Sequence, residues 1–251
     1  MELLLLFTLT SIHFFTSFYV KSTNALSYAD AERNYLLCAF YRINCTRTIH
    51  SSLTVSLLKS YIPEVAVGNI VDLAVYIEAQ CPDTTRFVHR QLLPTWQTIS
   101  VTNRISLKIV PFGKAVCNPV GNDYRCECQH GPPECELNQL MNCVIDIVGD
   151  PYKYVPVISC IQGKRDLRSA GSKCLSKLHV STKSILRCAE GEEGRRLLAK
   201  AGIETHHLKP PLNFVPWIMI NEKRSSDAFY DLKKNVCDAL DPVPDQCKEQ
   251  Q

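Results

Sequence analysis

A chain of 251 residues, 45% hydrophobic and 21% charged, is long enough to bury a core, and its apolar content excludes a disordered chain. Lys+Arg 28 against Asp+Glu 25 gives a net charge of +3 with no basic stripe, which excludes a nucleic-acid footprint, and no succession of long apolar runs marks a multi-pass membrane protein. Thirteen cysteines point to an oxidising, secretory compartment, where they pair as disulfides; in a reducing cytosol they would usually mean metal binding.

Leu3 to Val20 is an uncharged, mostly apolar run followed by Lys21 and a polar stretch, with small residues at Thr23 and Ala25. This pattern predicts a signal peptide over 1–25, cleaved after Ala25, with an uncleaved anchor as the competing reading; no later segment is apolar enough to span a bilayer. Residues 26–67 form an N-terminal extension containing Cys38 and Cys45, with helical spacing over 31–43. Asn44-Cys45-Thr46 is a candidate glycosylation site, and an unmodified loop reads almost equally well.

Further along, Ile70 to Ala79 reads as a buried strand running into Cys81-Pro82. Helical spacing follows over 85–93, stopped or kinked by Pro94, and 105–112 is a second strand. From Cys117 to about Gly202 cysteines are dense and the segments 134–147, 154–162 and 192–201 look helical. Residues 213–220 are strand-like, and 227–240 form an amphipathic closing helix. This order predicts an α/β domain interrupted by a disulfide-stapled helical insertion.

The densest chemistry runs from Cys126 to Cys143. A zinc site there would need Cys/His ligands, but the spacing matches no common finger or ribbon, so no metal is expected. A Cys-His pair through His130 is a second reading; a disulfide-pinned loop turned by Gly131-Pro132-Pro133 into a helix is the third, and on spacing alone it is preferred. His130 and Glu134 read as structural polar groups, and His206-His207 as a surface pair in a loop.

The arrangement Cys128-Gln129-His130-Gly131, Glu134-Cys135, Asn138 and Cys143 resembles the signature of the gamma-interferon-inducible lysosomal thiol reductase family. Pro111-Phe112-Gly113, Phe214-Val215-Pro216-Trp217 and the late cysteines Cys188, Cys237 and Cys247 agree with it, so that the resemblance covers about 68–247 and leaves a tail at 248–251. It implies a thioredoxin-like domain with a helical insertion, reduction of protein disulfides, and a lysosomal or extracellular location. It also implies no bound cofactor, only an external thiol as reductant if the protein is active.

Where such a family has Cys-x-x-Cys at a helix N-terminus, this chain has Cys81-Pro82-Asp83-Thr84. The resemblance therefore makes Cys81 the nucleophile and places Thr84 at the position of the resolving cysteine. The N-terminal end of a helix favours a thiolate and Asp83 opposes it. Thr84 cannot close a disulfide, so dithiol reduction is expected to be weak or lost, leaving monothiol exchange. Val215-Pro216 matches the loop where a cis proline faces the active cysteine, which makes Pro216 a site residue. If the other twelve cysteines pair, Cys81 is the free thiol, although parity alone cannot choose it. The alternative is a secreted binding protein that uses the same scaffold without turnover and meets an extracellular protein partner rather than a disulfide-bonded substrate.

Overall fold

The computed structural model describes residues 68–178 and 180–248. All lie in Ala66–Gln251, one of two units into which the chain divides. The signal peptide, the extension with Cys38 and Cys45, the helix at 31–43 and Asn44 fall outside the described residues.

Strand β1 (Val71–Ile77) is central. It pairs in parallel with β2 (Ile105–Pro111), Val71 opposite Ile105, and antiparallel with β5 (Trp217–Ile220), Tyr76 opposite Trp217. The short β6 (Lys223–Arg224) completes a sheet of order β2-β1-β5-β6. A strand covered on both faces needs apolar residues at both parities. Val71, Leu73, Val75 and Ile77 accordingly enter one buried cluster, while Tyr76 joins Val110, Phe112 and Trp217 in a second on the opposite face.

Helix α1 (Pro82–Phe87) follows β1 and passes through a π-helical turn, Val88–Leu92, into α2 (Leu93–Ile99). Pro94 therefore neither stops the helix at 93 nor ends it. It sits in the first turn of α2, and the wider turn before it absorbs the missing N–H.

The inserted region departs from the expected all-helical block at its start. Val116–Val120 (β3) and Asp123–Glu127 (β4) form an antiparallel hairpin with Cys117 opposite Cys126, joined by a disulfide. β-Branched Val116 and Val120 and the Gly121-Asn122 turn, where Gly121 adopts φ +60°, favour the hairpin over a helix. The helices after it are α3 (Pro132–Val148), α4 (Pro151–Ile161), α5 (Leu167–Cys174), α6 (Thr182–Glu190) and α7 (Glu192–His206). Leu137, Leu140, Met141 and Val144 give α3 the i, i+3, i+4, i+7 stripe that buries it. Disulfide Cys143–Cys188 ties α3 to α6, and Cys160–Cys174 ties α4 to α5.

His206 ends α7 rather than lying in a loop, its ring edge-on to Phe112 at 5.8 Å. The last strand is confined to Trp217–Ile220, because residues up to Pro216 lack ladder partners. The closing helix α8 (Leu232–Asp238) is shorter than the amphipathic pattern and carries Cys237, which is bonded to Cys247. Among the described residues, no helix is long and apolar enough to cross a membrane.

Candidate active site

Strand β1 delivers Glu78, Ala79, Gln80 and Cys81 to the start of α1. Cys81 is the N-cap, and Pro82 occupies the first helical turn, where its lack of an N–H is harmless. Among the described residues, Cys81 is the free cysteine, partly exposed, while the other ten are bonded in pairs. Its thiol points to the Val215 carbonyl at 3.9 Å, and the Val215–Pro216 peptide is cis. The neighbouring Phe214 packs edge-on against Phe229, which lies over Phe87 of α1, so aromatic contacts link the proline loop to the cysteine helix.

Thr84 is fully buried, and its hydroxyl has no hydrogen-bond partner among the described residues. The neighbouring Thr85 instead caps Cys81, its backbone N–H and its hydroxyl both donating to the Cys81 carbonyl at 2.9 Å. Asp83, whose charge would oppose a thiolate, lies 3.3 Å from Arg86 on the exposed side of the helix.

The signature segment grips the backbone just ahead of Cys81. Disulfide Cys128–Cys135 closes the loop, and Gly131 at φ +91° turns it into α3 with Pro132 and Pro133 in the first turn. Glu134 and Asn138, both fully buried, then face β1: Gln80 N–H donates to Glu134 at 3.3 Å, and Ala79 N–H donates to Asn138 Oδ1 at 3.1 Å. Glu134 also accepts from the His130 backbone N–H and contacts the His130 ring. Cys143 anchors the same helix farther along, and Gln129 is exposed. Glu134 and Asn138 thus form a clamp on the residues preceding Cys81, and His130 packs against it through Glu134.

Replacing Asn138 should remove one jaw of that clamp. Asn138→Ala is expected to cost about 2–3 kcal/mol in urea unfolding, since it leaves a buried N–H unpaired and opens space. An unchanged midpoint would mean that the Ala79 N–H finds another partner.

Two residues at the site escape sequence reading. Gln162, at the end of α4, is buried and its amide donates to the carbonyls of Glu78 and Ala79 at 2.7 and 2.9 Å. Glu78 is 1% exposed, and Lys114 N–H donates to its Oε2 at 2.8 Å. Gly113, at φ +67°, permits this approach, because a Cβ there would fall 2.2 Å from that oxygen. Burial pushes the Glu78 carboxyl above the usual carboxylate range and Glu134 adds to it, while the Lys114 N–H and His130 pull the other way. The only signal in the sequence for Glu78 was an acid at the end of an apolar strand.

Residues 72–178 match the family described as Gamma interferon inducible lysosomal thiol reductase (GILT). A GILT-like protein of Caenorhabditis briggsae is 34% identical over 189 residues, covering 73% of this chain and 86% of that relative. The chain belongs to the GILT family. A GILT-like protein of Caenorhabditis elegans is 53% identical over 184 residues, and the match spans 73% of this chain but 57% of that longer relative. The gamma-interferon-inducible lysosomal thiol reductase of Mus musculus is 31% identical, with 70% of this chain and 71% of the relative covered. Among solved structures, Chlamydia trachomatis DsbA superposes with a TM-score of 0.51 at 16% identity, covering 72% of this chain and 90% of the other. The fold of this GILT chain is thus the thioredoxin-like, DsbA-like one, with the helices between β2 and β5 as the insertion.

Proposed function

We propose that the protein performs thiol–disulfide exchange on disulfide-bonded proteins through Cys81 alone, with an external thiol as reductant and no cofactor taking part in the exchange. The observation that carries this reading is the placement of Cys81: unpaired among the described residues, partly exposed, at a helix N-cap and facing the Val215 carbonyl beside Pro216. The Cys81 thiolate attacks one sulfur of a substrate disulfide; the new S–S bond joins Cys81 to substrate, and the other substrate sulfur leaves as a thiolate that takes a proton from solvent. With Thr84 one helical turn after Cys81, no second thiol stands there to resolve the mixed disulfide. An external thiol does so, or the substrate's own released thiol attacks and isomerises the bond. Two external thiols are oxidised for each disulfide reduced.

The apolar run Leu3 to Val20 and the many disulfides support action in the secretory pathway, outside the cell or in lysosomes, with a leader over 1–25 and a glycan on Asn44 as parts of the same proposal.

Cys81→Ser is expected to abolish exchange, measured as release of a fluorophore-quenched disulfide peptide under a small-thiol reductant, with the circular dichroism spectrum unchanged. Non-reducing peptide mapping after alkylation should label Cys81 in the parent protein. Exchange that survives the substitution would remove Cys81 from the chemistry. The missing resolving thiol at Thr84 favours a second reading, a binding protein without turnover. That reading expects no exchange in the parent protein and partner binding unchanged by Cys81→Ser.

A further inference from the structure

Glu78, His130 and Glu134 come from two elements far apart in sequence, yet each places one donor atom within 4.8 Å of the others. Glu78 and Glu134 are 1% and 0% exposed, whereas the His130 side chain is 37% exposed and forms the solvent side of the cluster. Glu78 Oε1 is buried and accepts no hydrogen bond among the described residues. His130 Nδ1 lies 3.4 Å from it, but a ring nitrogen carries a single hydrogen, and the shorter contact of 2.6 Å is to Glu134 Oε2. Two carboxylates withdrawn from water therefore share one imidazole, and one oxygen is left aimed at the ring with nothing to bind. A buried anion in that position calls for a compensating charge.

We propose that this cluster is a binding site for a first-row divalent cation of the zinc type, held by Glu78 Oε1, His130 Nδ1 and Glu134 Oε2, with its fourth position open to solvent. One imidazole and two carboxylates suit such an ion, and two carboxylates with a neutral ring neutralise its charge. Ligands about 2.0–2.1 Å from a tetrahedral zinc lie about 3.3 Å from one another. The His130–Glu78 separation of 3.4 Å already meets this. The His130–Glu134 pair must open by about 0.7 Å from its hydrogen-bonded 2.6 Å to reach that spacing, a movement available to a half-exposed ring.

The outer oxygens are already oriented. Lys114 N–H donates to Glu78 Oε2 at 2.8 Å, and His130 N–H donates to Glu134 Oε1 at 3.1 Å, the kind of outer support that fixes metal ligands. The neighbouring cysteines take no part, since Cys128 and Cys135 are bonded to each other. Occupancy does not require Cys81 to turn over, so the site stands apart from the exchange reading. The two are nonetheless adjacent, because Glu134 Oε2 also receives the N–H of Gln80, the residue before Cys81.

The test uses the full chain with Cys81→Ser, which removes thiol coordination, stripped of metal by a chelator and titrated with zinc against a chromogenic indicator. One zinc per chain is expected, with a rise in melting temperature of several degrees at saturation and no comparable response to calcium. Glu78→Gln keeps an acceptor for Lys114, and His130→Asn alters a half-exposed position; each should weaken zinc at least tenfold while circular dichroism stays unchanged. Zinc bound equally well by both variants would place the ion elsewhere, at His206-His207 or the N-terminal cysteines, and overturn the assignment. Absence of binding in the unsubstituted cluster, or an equal response to calcium, would overturn it as well.

Discussion

Thr84→Cys is expected to turn the monothiol site into a dithiol one. Thr84 is fully buried, and its hydroxyl is without a partner among the described residues, so the substitution deletes an unsatisfied polar atom and inserts a sulfur of similar size that tolerates apolar surroundings. Positions 81 and 84 stand one helical turn apart, with Cβ atoms about 5–6 Å from each other, close enough to be drawn into a disulfide. The second thiol then resolves the mixed disulfide within the same molecule, which should raise turnover at millimolar external thiol at least about 100-fold. Accumulated mixed disulfide should disappear, and the rate of the resolving step should lose its dependence on thiol concentration.

Thr84→Val separates the two effects. It removes the same orphan hydroxyl and should stabilise the fold by about 1 kcal/mol with no gain in turnover. If Thr84→Cys neither speeds turnover nor forms an 81–84 disulfide on oxidation, the proposal that Cys81 still occupies a working exchange site fails.

What could be read from the chain and what could not divide along physical lines. β1 leading into Cys81-Pro82 was legible because a strand buried on both faces leaves an apolar run, interrupted here only at Asp72, and the proline marks the first turn of a helix. The eight signature positions were legible as a spacing, but their purpose was not. Glu134 and Asn138 hold N–H groups in the turn after β1, more than fifty residues upstream, and only the fold brings them there. Glu78 reads in the sequence only as an acid near the end of a buried strand; what holds its carboxylate is the backbone at Gly113 and Lys114. The β3–β4 hairpin was hidden because its strands are five residues long, carry Pro119 and expose most of their side chains, so neither alternation nor burial marks them. Helices α5 and α6 leave little mark in the sequence for a related reason: in short, polar segments tertiary packing and disulfides outweigh local pattern. Disulfide partners follow from the same three-dimensional proximity.

The largest stability effect is expected from Cys143→Ala/Cys188→Ala. This bridge joins α3 to α6 across 45 residues, the widest separation among the described disulfides, and both sulfurs belong to buried residues. Constraint of the unfolded chain scales with the logarithm of the closed loop, giving about 4 kcal/mol here against about 2.5 kcal/mol for the Cys117–Cys126 bridge, which spans 9 residues. Set against a typical total of about 5–15 kcal/mol, the first loss is a large share. Urea unfolding of the two double-alanine variants should therefore rank them in that order, and equal midpoints would show that the bridges act through local packing instead. The consequence reaches the site, because α3 is the element whose Glu134 and Asn138 hold Gln80 and Ala79 in front of Cys81. Loosening its far end should raise the rate at which Cys81 is alkylated in the folded protein, whereas removing the hairpin bridge should leave that rate unchanged. If Cys81 labels equally in both variants, the Cys128–Cys135 bridge is sufficient by itself to keep the start of α3 in register with the end of β1.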